Sequence, residues 1–248
     1  GLVIGGTRRQ VPIGRAFPRG IRAEIVNAPT LSLDGVRERA IYYQGEGADI
    51  VDIGMLAGRP NPESAKAIVE EVKSTIDLPV SIDTLDPTEI KAAVDAGADL
   101  VLSIDAGNMN DVAPYVSDVP VVVLPTNMKE GFLPQGAEER VAFLLKNIEN
   151  ATELGIQKII ADPVLEPAIK PGLLESLNAY RLFRDQDKTT PVLYGLGNVT
   201  ELIDADSSGV NGILAALAAE VEAQLLFIPE HSTKAKGRKR GTGRMAAP

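Results

Sequence analysis

The chain has 248 residues, no Cys, one His and a formal net charge of −9. That length buries a large core without cross-links or metals, and the missing Cys excludes disulfides, thiolate metal sites and a Cys nucleophile. A lone His231 argues against His-rich zinc sites and a Ser-His-Asp triad, and the acidic balance argues against a nucleic-acid partner.

Residue 1 is not Met and enters mid-phrase, which reads as a piece of a longer chain. No signal peptide opens the sequence and no apolar run approaches the ~20 residues that span a bilayer, so a cytoplasmic protein without a membrane partner is expected. Residues 1–20, with Pro12, Gly14, Pro18 and Gly20, read as a linker or the end of a preceding domain. From there, apolar and β-branched runs at 21–27, 49–54, 79–82, 99–104, 119–124, 157–162, 191–196 and 224–228 are predicted strands. Helix-length amphipathic segments fall between them, at about 34–46, 62–76, 86–96, 108–117, 136–154, 172–186 and 208–222.

Strands separated by helices indicate right-handed βαβ units and a parallel sheet. Gly-Ala-Asp recurs at 47–49 and 97–99, each time just before a strand, and Gly155 stands in an equivalent place. Gly is the residue that ends a helix in the left-handed conformation, so these are helix-to-strand turns. Two βα units per fifty residues fill residues 21–230 with eight, and the expected fold is a (β/α)8 TIM barrel. The last helix is missing or replaced, because residues 231–248 form a Gly-rich basic tail with Lys234, Lys236, Arg238, Lys239, Arg240 and Arg244. That run reads as a solvated, mobile end.

In such a barrel the acting groups sit at the C-terminal ends of strands and in the loops beyond. Taken in order, those tips carry Asn27, Asp52, Asp83, Ser103 with Asp105, Met128 with Lys129, Asp162 and Asn198, with Arg59 in the loop after the second strand. The set is rich in carboxylates and amides and poor in nucleophiles. A buried carboxylate accepts two parallel hydrogen bonds from an amidine-like edge, and Asn serves ring atoms as donor or acceptor. The ligand this favours is a flat heteroaromatic with a row of N–H donors, such as a pterin or guanine ring. Asp86, just before Pro87, reads instead as a helix N-cap.

Ala-Asp-Ile-Val-Asp-Ile-Gly (48–54), Gly-Arg-Pro (58–60), Pro-Val-Ser-Ile-Asp-Thr (79–84), Ala-Gly-Ala-Asp-Leu-Val (96–101) and Ile-Ile-Ala-Asp-Pro (159–163) together resemble the pterin-binding superfamily. That superfamily includes dihydropteroate synthases and methyltetrahydrofolate:corrinoid methyltransferases. The resemblance runs from about Ile21 to Ile228 and implies a (β/α)8 barrel with pterin, as substrate or ligand, at its C-terminal mouth. It implies ring contacts from Asp83 and Asp162, a deep acid at Asp52, a pyrophosphate and Mg²⁺ contact at Asn27, and an arylamine or phosphate contact at Arg59.

Departures from the synthases are as informative. Their fourth-strand Asn-Asp pair is replaced by Leu102-Ser103, and the Lys of their Ser-Arg-Lys-Ser motif after strand seven by Val199. Gly-Leu-Gly-Asn-Val-Thr (195–200) is similar instead to the methyltransferases' Gly-Leu-Ser-Asn-Val-Ser, which implies that Asn198 meets the pterin near its methyl-bearing nitrogen. With Glu-His-Ser-Thr-Lys (230–234), the mixture resembles the synthase-related branch associated with methanopterin-type cofactors. Three functions remain open. One is a transferase joining a dihydropterin methyl pyrophosphate to an arylamine, in folate- or methanopterin-type biosynthesis. Another is a methyltransferase with a corrinoid-protein partner, assisted by Asn198, and the third is a non-catalytic pterin-binding domain. A homodimer is compatible with all three. His231, just past the last strand, is read as a group that could meet an anion.

Overall fold

The computed structural model describes residues 2–169, 172–200 and 207–229. The readings of His231, the basic tail and the missing or replaced last helix lie outside the described residues. Two short antiparallel strands, β1 (Leu2–Ile4) and β2 (Val11–Ile13), come first. Eight parallel strands follow: β3 (Gly20–Ile25), β4 (Ile50–Gly54), β5 (Val80–Asp83), β6 (Leu100–Ile104), β7 (Val121–Val123), β8 (Ile159–Ala161), β9 (Leu193–Gly195) and β10 (Leu225–Pro229). Their order is β8-β7-β6-β5-β4-β3-β10-β9. A parallel bridge between Ala161 and Val192 joins the two outer strands, with Ala161 N donating to Pro191 O at 2.8 Å. The sheet is thereby all but closed on itself, as eight parallel strands require.

The helices are α1 (Leu33–Gly45), α2 (Pro62–Thr75), α3 (Pro87–Asp95), α4 (Met109–Val112), α5 (Ala137–Glu153), α6 (Leu173–Gln186), α7 (Leu196–Thr200) and α8 (Ser207–Glu220). Their starts follow from local chemistry. Ser32 accepts from Gly35 N, Asn61 from Ser64 N, and Asp86 from both Thr88 N and Glu89 N, with Pro at the first helical position after Asn61 and Asp86. Two segments differ from expectation. The helix predicted over 108–117 stops at Val112 and continues as a 3₁₀ turn, Ala113–Tyr115, because Pro114 cannot donate to an α-helical ladder. The strand expected over 191–196 ends at Gly195, and Leu196–Thr200 form the short helix α7.

The stretch 1–20 is not all linker. Ile4, Val11 and Ile13 are buried against Ile50, Leu100, Val122, Ile160, Leu193 and Leu225, which point into the barrel. The β1–β2 hairpin therefore plugs the N-terminal end, and Arg8 bonds Lys73 O (2.8 Å) and Ile76 O (3.3 Å) at the foot of α2. Ile13 is fully buried, so Ile13→Ala is expected to cost about 2–5 kcal/mol, read as a lowered denaturant midpoint at unchanged slope.

Strand alternation then divides the interior. On β3 to β5 the inward residues above Ile50 are Arg22, Glu24, Asp52, Ser81 and Asp83, while Ala23, Ile25, Val51, Ile53, Val80 and Ile82 face the helices. On β6 to β10 the inward residues are Leu100, Leu102, Val122, Ile160, Leu193, Leu225 and Phe227. One wall of the barrel is ionic and the opposite wall apolar.

Candidate functional site

The ionic wall is built around Arg22, which is 2% exposed. Its Nη1 stands 2.5 Å from Asp52 Oδ2 and 3.6 Å from Asp83 Oδ2, and the guanidinium lies over the Phe227 ring at 3.9 Å. Ser81 Oγ donates to the other Asp52 oxygen at 2.5 Å. Asp52, fully buried, is thus held between a guanidinium and a hydroxyl. Glu24 follows Arg22 by two residues on the same face, and Glu24, Asp52 and Asp83 each offer an oxygen within 4.8 Å of the others. Gly54, level with Asp83, leaves the space that the Glu24 carboxyl fills, since a Cβ there would run into Glu24 Oε1.

Asp83 stands above this floor with 40% of its side-chain surface open, in a funnel walled by protein. Burial first, and then the Asp52 charge, push it up to about 7, against the opposing effect of Arg22; Asp162 pushes the same way as Asp52. Asp83 and Asp162 therefore share one end of the barrel and one electrostatic field. Asp162 directly follows β8, and its Oδ1 accepts from Val164 N (2.8 Å) and Tyr180 Oη (3.1 Å). Its Oδ2 makes no hydrogen bond among the described residues. Burial raises Asp162 to about 6, with the Val164 and Tyr180 bonds resisting.

The loops after β4 to β7 enclose a cleft of about 610 Å³ beside Asp83, lined by Leu56, Thr84, Asn108, Met128 and Lys129 among others. Met128 and Lys129 are exposed on its rim. Gly58 and Pro60 line the cleft but Arg59 does not; its side chain is exposed. Ser103 is buried, and its carbonyl accepts from Asn108 Nδ2 at 3.1 Å. Asp105 is a clamp between loops: it accepts from Gly107 N, Thr126 Oγ1 and Met128 N, each at 2.8 Å. Gly107 has no room for a side chain, because a Cβ would meet Asn127 Oδ1 at 2.8 Å.

Asn27 is exposed just beyond β3, with φ 49° and ψ 44°. That left-handed conformation is one Asn tolerates better than most residues, so the position has a structural reason of its own. Asn198 is exposed on α7, and its Nδ2 donates to Leu165 O at 2.9 Å, tying α7 to the loop that follows Asp162. Its neighbour Val199, at the position of the synthases' Lys, is fully buried.

The structure places Asp52, Asp83 and Asp162 at one end of the barrel, and beside them Arg22 and Glu24, which strand tips alone do not single out. Their signal was the alternation in Ile21-Arg22-Ala23-Glu24-Ile25, which resembles a strand with one solvated face. A second omission is Arg140 on α5. It is 2% exposed, bonds Val164 O at 2.8 Å and is ion-paired with the buried Glu166. Glu89, also buried, accepts from Thr84 Oγ1 (2.5 Å) and Asn61 N (2.8 Å), linking the loop after Asp83 to the cap of α2.

An all but closed parallel barrel with acids converging at its C-terminal mouth defines a class of α/β ligand-binding barrels. The model of the pterin binding enzyme family matches residues 26–222, and the chain belongs to that family. An uncharacterised protein of Methanocaldococcus jannaschii is 43% identical over 231 residues, covering 92% of this chain and 44% of that protein. A dihydropteroate synthase of Streptococcus pyogenes is 28% identical over 126 residues, 45% of this chain and 46% of the synthase. The chain thus spans under half the length of either relative. In fold it is similar to dihydropteroate synthase of Xanthomonas albilineans in complex with 7,8-dihydropteroate, with TM-score 0.73, 21% identity and coverage of 97% and 96% of the two chains. The same enzyme with 4-aminobenzoic acid gives TM-score 0.71 at 22% identity, with coverage of 91% and 92%. No helix among the described residues is long and apolar enough to cross a membrane.

Proposed function

We propose that the barrel binds a pterin at its C-terminal mouth and joins a dihydropterin methyl pyrophosphate to an arylamine. The observation that carries this reading is the placement of Asp83 and Asp162 in one funnel, between an ionic wall and an apolar one. A flat bicyclic ring enters the cleft beside Asp83, whose lining includes Met55, Leu56 and Met128, while its nitrogen-rich rim meets carboxylates. In the reaction the arylamine nitrogen attacks the methylene carbon, the carbon–oxygen bond to pyrophosphate breaks, and the nitrogen gives up a proton. Fixed carboxylates next to the ring favour the electron release that loosens that bond.

A divalent ion does not fit the ionic wall. The three carboxyls that come close enough to grip one already face the Arg22 guanidinium, and Asn27 offers a single amide at the rim. The buried Val199 in place of a Lys, beside Asn198, favours a second reading, methyl transfer from a methylated tetrahydropterin to a corrinoid.

Asp83→Asn and Asp162→Asn each replace a carboxyl, which can accept with a charged oxygen, by a neutral amide, and are expected to weaken pterin binding by at least about 1.5 kcal/mol, roughly tenfold. Calorimetric titration with 6-hydroxymethylpterin measures this, and wild-type affinity in both variants would refute the site. Pyrophosphate release on mixing an arylamine with the dihydropterin pyrophosphate reports the synthase reaction. Methyl transfer to cob(I)alamin, lost in Asn198→Ala, reports the alternative; stoichiometric pterin binding with neither activity points to a binding domain.

A further inference from the structure

Glu24 belongs to none of the motifs that mark the family resemblance, yet its carboxyl sits in the floor of the funnel. The charges facing it are Arg22 on its own strand, Asp52 on β4 and Asp83 on β5, while Asp162 after β8 acts on Asp83. Phe227 on β10 closes the floor with an uncharged ring. Arg22 is the cation of this group, and Asp52 holds it at 2.5 Å while Asp83 lies at 3.6 Å. Once Asp52 and Arg22 are paired, Glu24 and Asp83 face each other with no second cation among the described residues. Two carboxyls within 4.8 Å in a poorly solvated place do not both stay ionised. In addition, Arg22 Nε is buried without an acceptor among the described residues. Gly54 keeps the space into which Glu24 extends.

We propose that Glu24 and Asp83 share one proton in the ligand-free site, so that the pair presents a carboxyl donor beside a carboxylate acceptor. Such a pair is complementary to a lactam edge, an N–H next to a C=O, and Glu24 is then the residue that selects a lactam ring over its diamino counterpart. The selection rests on the pterin reading above; the shared proton does not. Burial, with the Asp52 and Asp83 charges, raises Glu24 to about 8, in the same direction as Asp83. Because the two titrate as a pair, the observable midpoints belong to the pair.

The test has two arms. In the ligand-free protein, carboxyl carbon NMR is expected to show Glu24 and Asp83 titrating above pH 6, and Glu24→Gln to lower the Asp83 midpoint by about one unit or more. Both groups titrating below pH 5 in the wild type would overturn the inference whatever the ligand. In the second arm, binding of 6-hydroxymethylpterin and of 2,4-diaminopteridine is compared between pH 6.5 and 8.5. The wild type is expected to favour the lactam at least tenfold and to lose that preference as pH rises. Glu24→Gln, which keeps an amide donor, should bind with a flat preference across the range, and Gly54→Ala, which displaces the carboxyl without changing any charge, should lose it. Wild-type pH dependence in Glu24→Gln counts against the proposal. High NMR midpoints with no pterin bound by either protein would overturn the pterin reading and the lactam selection together, and would uphold the shared proton.

Discussion

Replacing Arg22 by Met is expected to cost about 3–5 kcal/mol of stability at pH 8, the range for removing one partner of a buried ion pair. Met keeps much of the apolar volume against Phe227, so the loss reports charge rather than a cavity. Burial alone would weaken the hold of Arg22 on its proton, but Asp52, Asp83 and Glu24, in that order, outweigh it. Without the guanidinium, Asp52 keeps only the Ser81 hydroxyl, and three carboxyls confront one another within 4.8 Å.

The sign of the pH dependence follows from linkage. Glu24 and Asp83 are raised in the folded protein to about 8 and about 7. Between the ordinary carboxylate range near 4 and those values the folded state binds more protons than the unfolded chain, so stability falls as pH rises. Below about pH 4 both states are protonated and the difference vanishes. The Arg22→Met variant extends this trend, because its uncompensated carboxyls take up further protons. Urea denaturation at pH 8 and pH 5.5 should show a larger deficit, relative to wild type, at the higher pH. An equal deficit at both values would mean that packing against Phe227, not charge, is what Arg22 supplies.

Arg140→Met is expected to cost a similar 3–5 kcal/mol, and to weaken pterin binding at least tenfold although Arg140 stands behind the site. Beyond its ion pair with Glu166, Arg140 donates to Val164 O at 2.8 Å and Pro134 O at 3.4 Å. Val164 has φ 67°, a left-handed conformation that a β-branched residue adopts at a cost of about 1–3 kcal/mol. It is also the residue whose N–H fixes Asp162 Oδ1. Arg140 therefore holds a strained turn whose product is the orientation of Asp162. The double variant Arg140→Met/Glu166→Met separates the two effects. Removing both charges should recover much of the stability, as apolar replacement of a buried pair often does, while the binding deficit persists. Recovery of binding together with stability would show that the turn keeps its shape unaided.

Much of this was readable in the residues before any coordinates. The eight strands fall where β-branched runs lie between Gly-marked helix ends, and Gly47, Gly97 and Gly155 take the positive φ that such turns need. Asp83 and Asp162 follow from the rule that strand tips meet at one mouth, and Asp86 from its place before Pro87. The placement of the loop side chains was not legible in the residues. Asn27 and Asn198 are chemically suited to a ligand, yet one is in a left-handed turn and the other has its amide donor bound to Leu165 O. Arg59 sits in the right loop but outside the cleft that the loop encloses. Which way a loop side chain points depends on neighbours far along the chain, and periodicity carries no record of them.

The chain by itself determined the alternation of strands and helices, the parallel sheet and the end of it where acids gather, because those depend on spacing along one dimension. Only the tertiary structure decided which face of each strand looks inward. Ile21, Arg22, Ala23, Glu24 and Ile25 alternate in the same way whether the polar side meets water or the centre of a barrel. Closure through Ala161 and Val192, with the β1–β2 hairpin beneath, turns that polar face into the floor of a funnel. There Arg22 and Glu24 lose most of their solvent, and carboxyls from three strands are brought close enough to govern one another's protons.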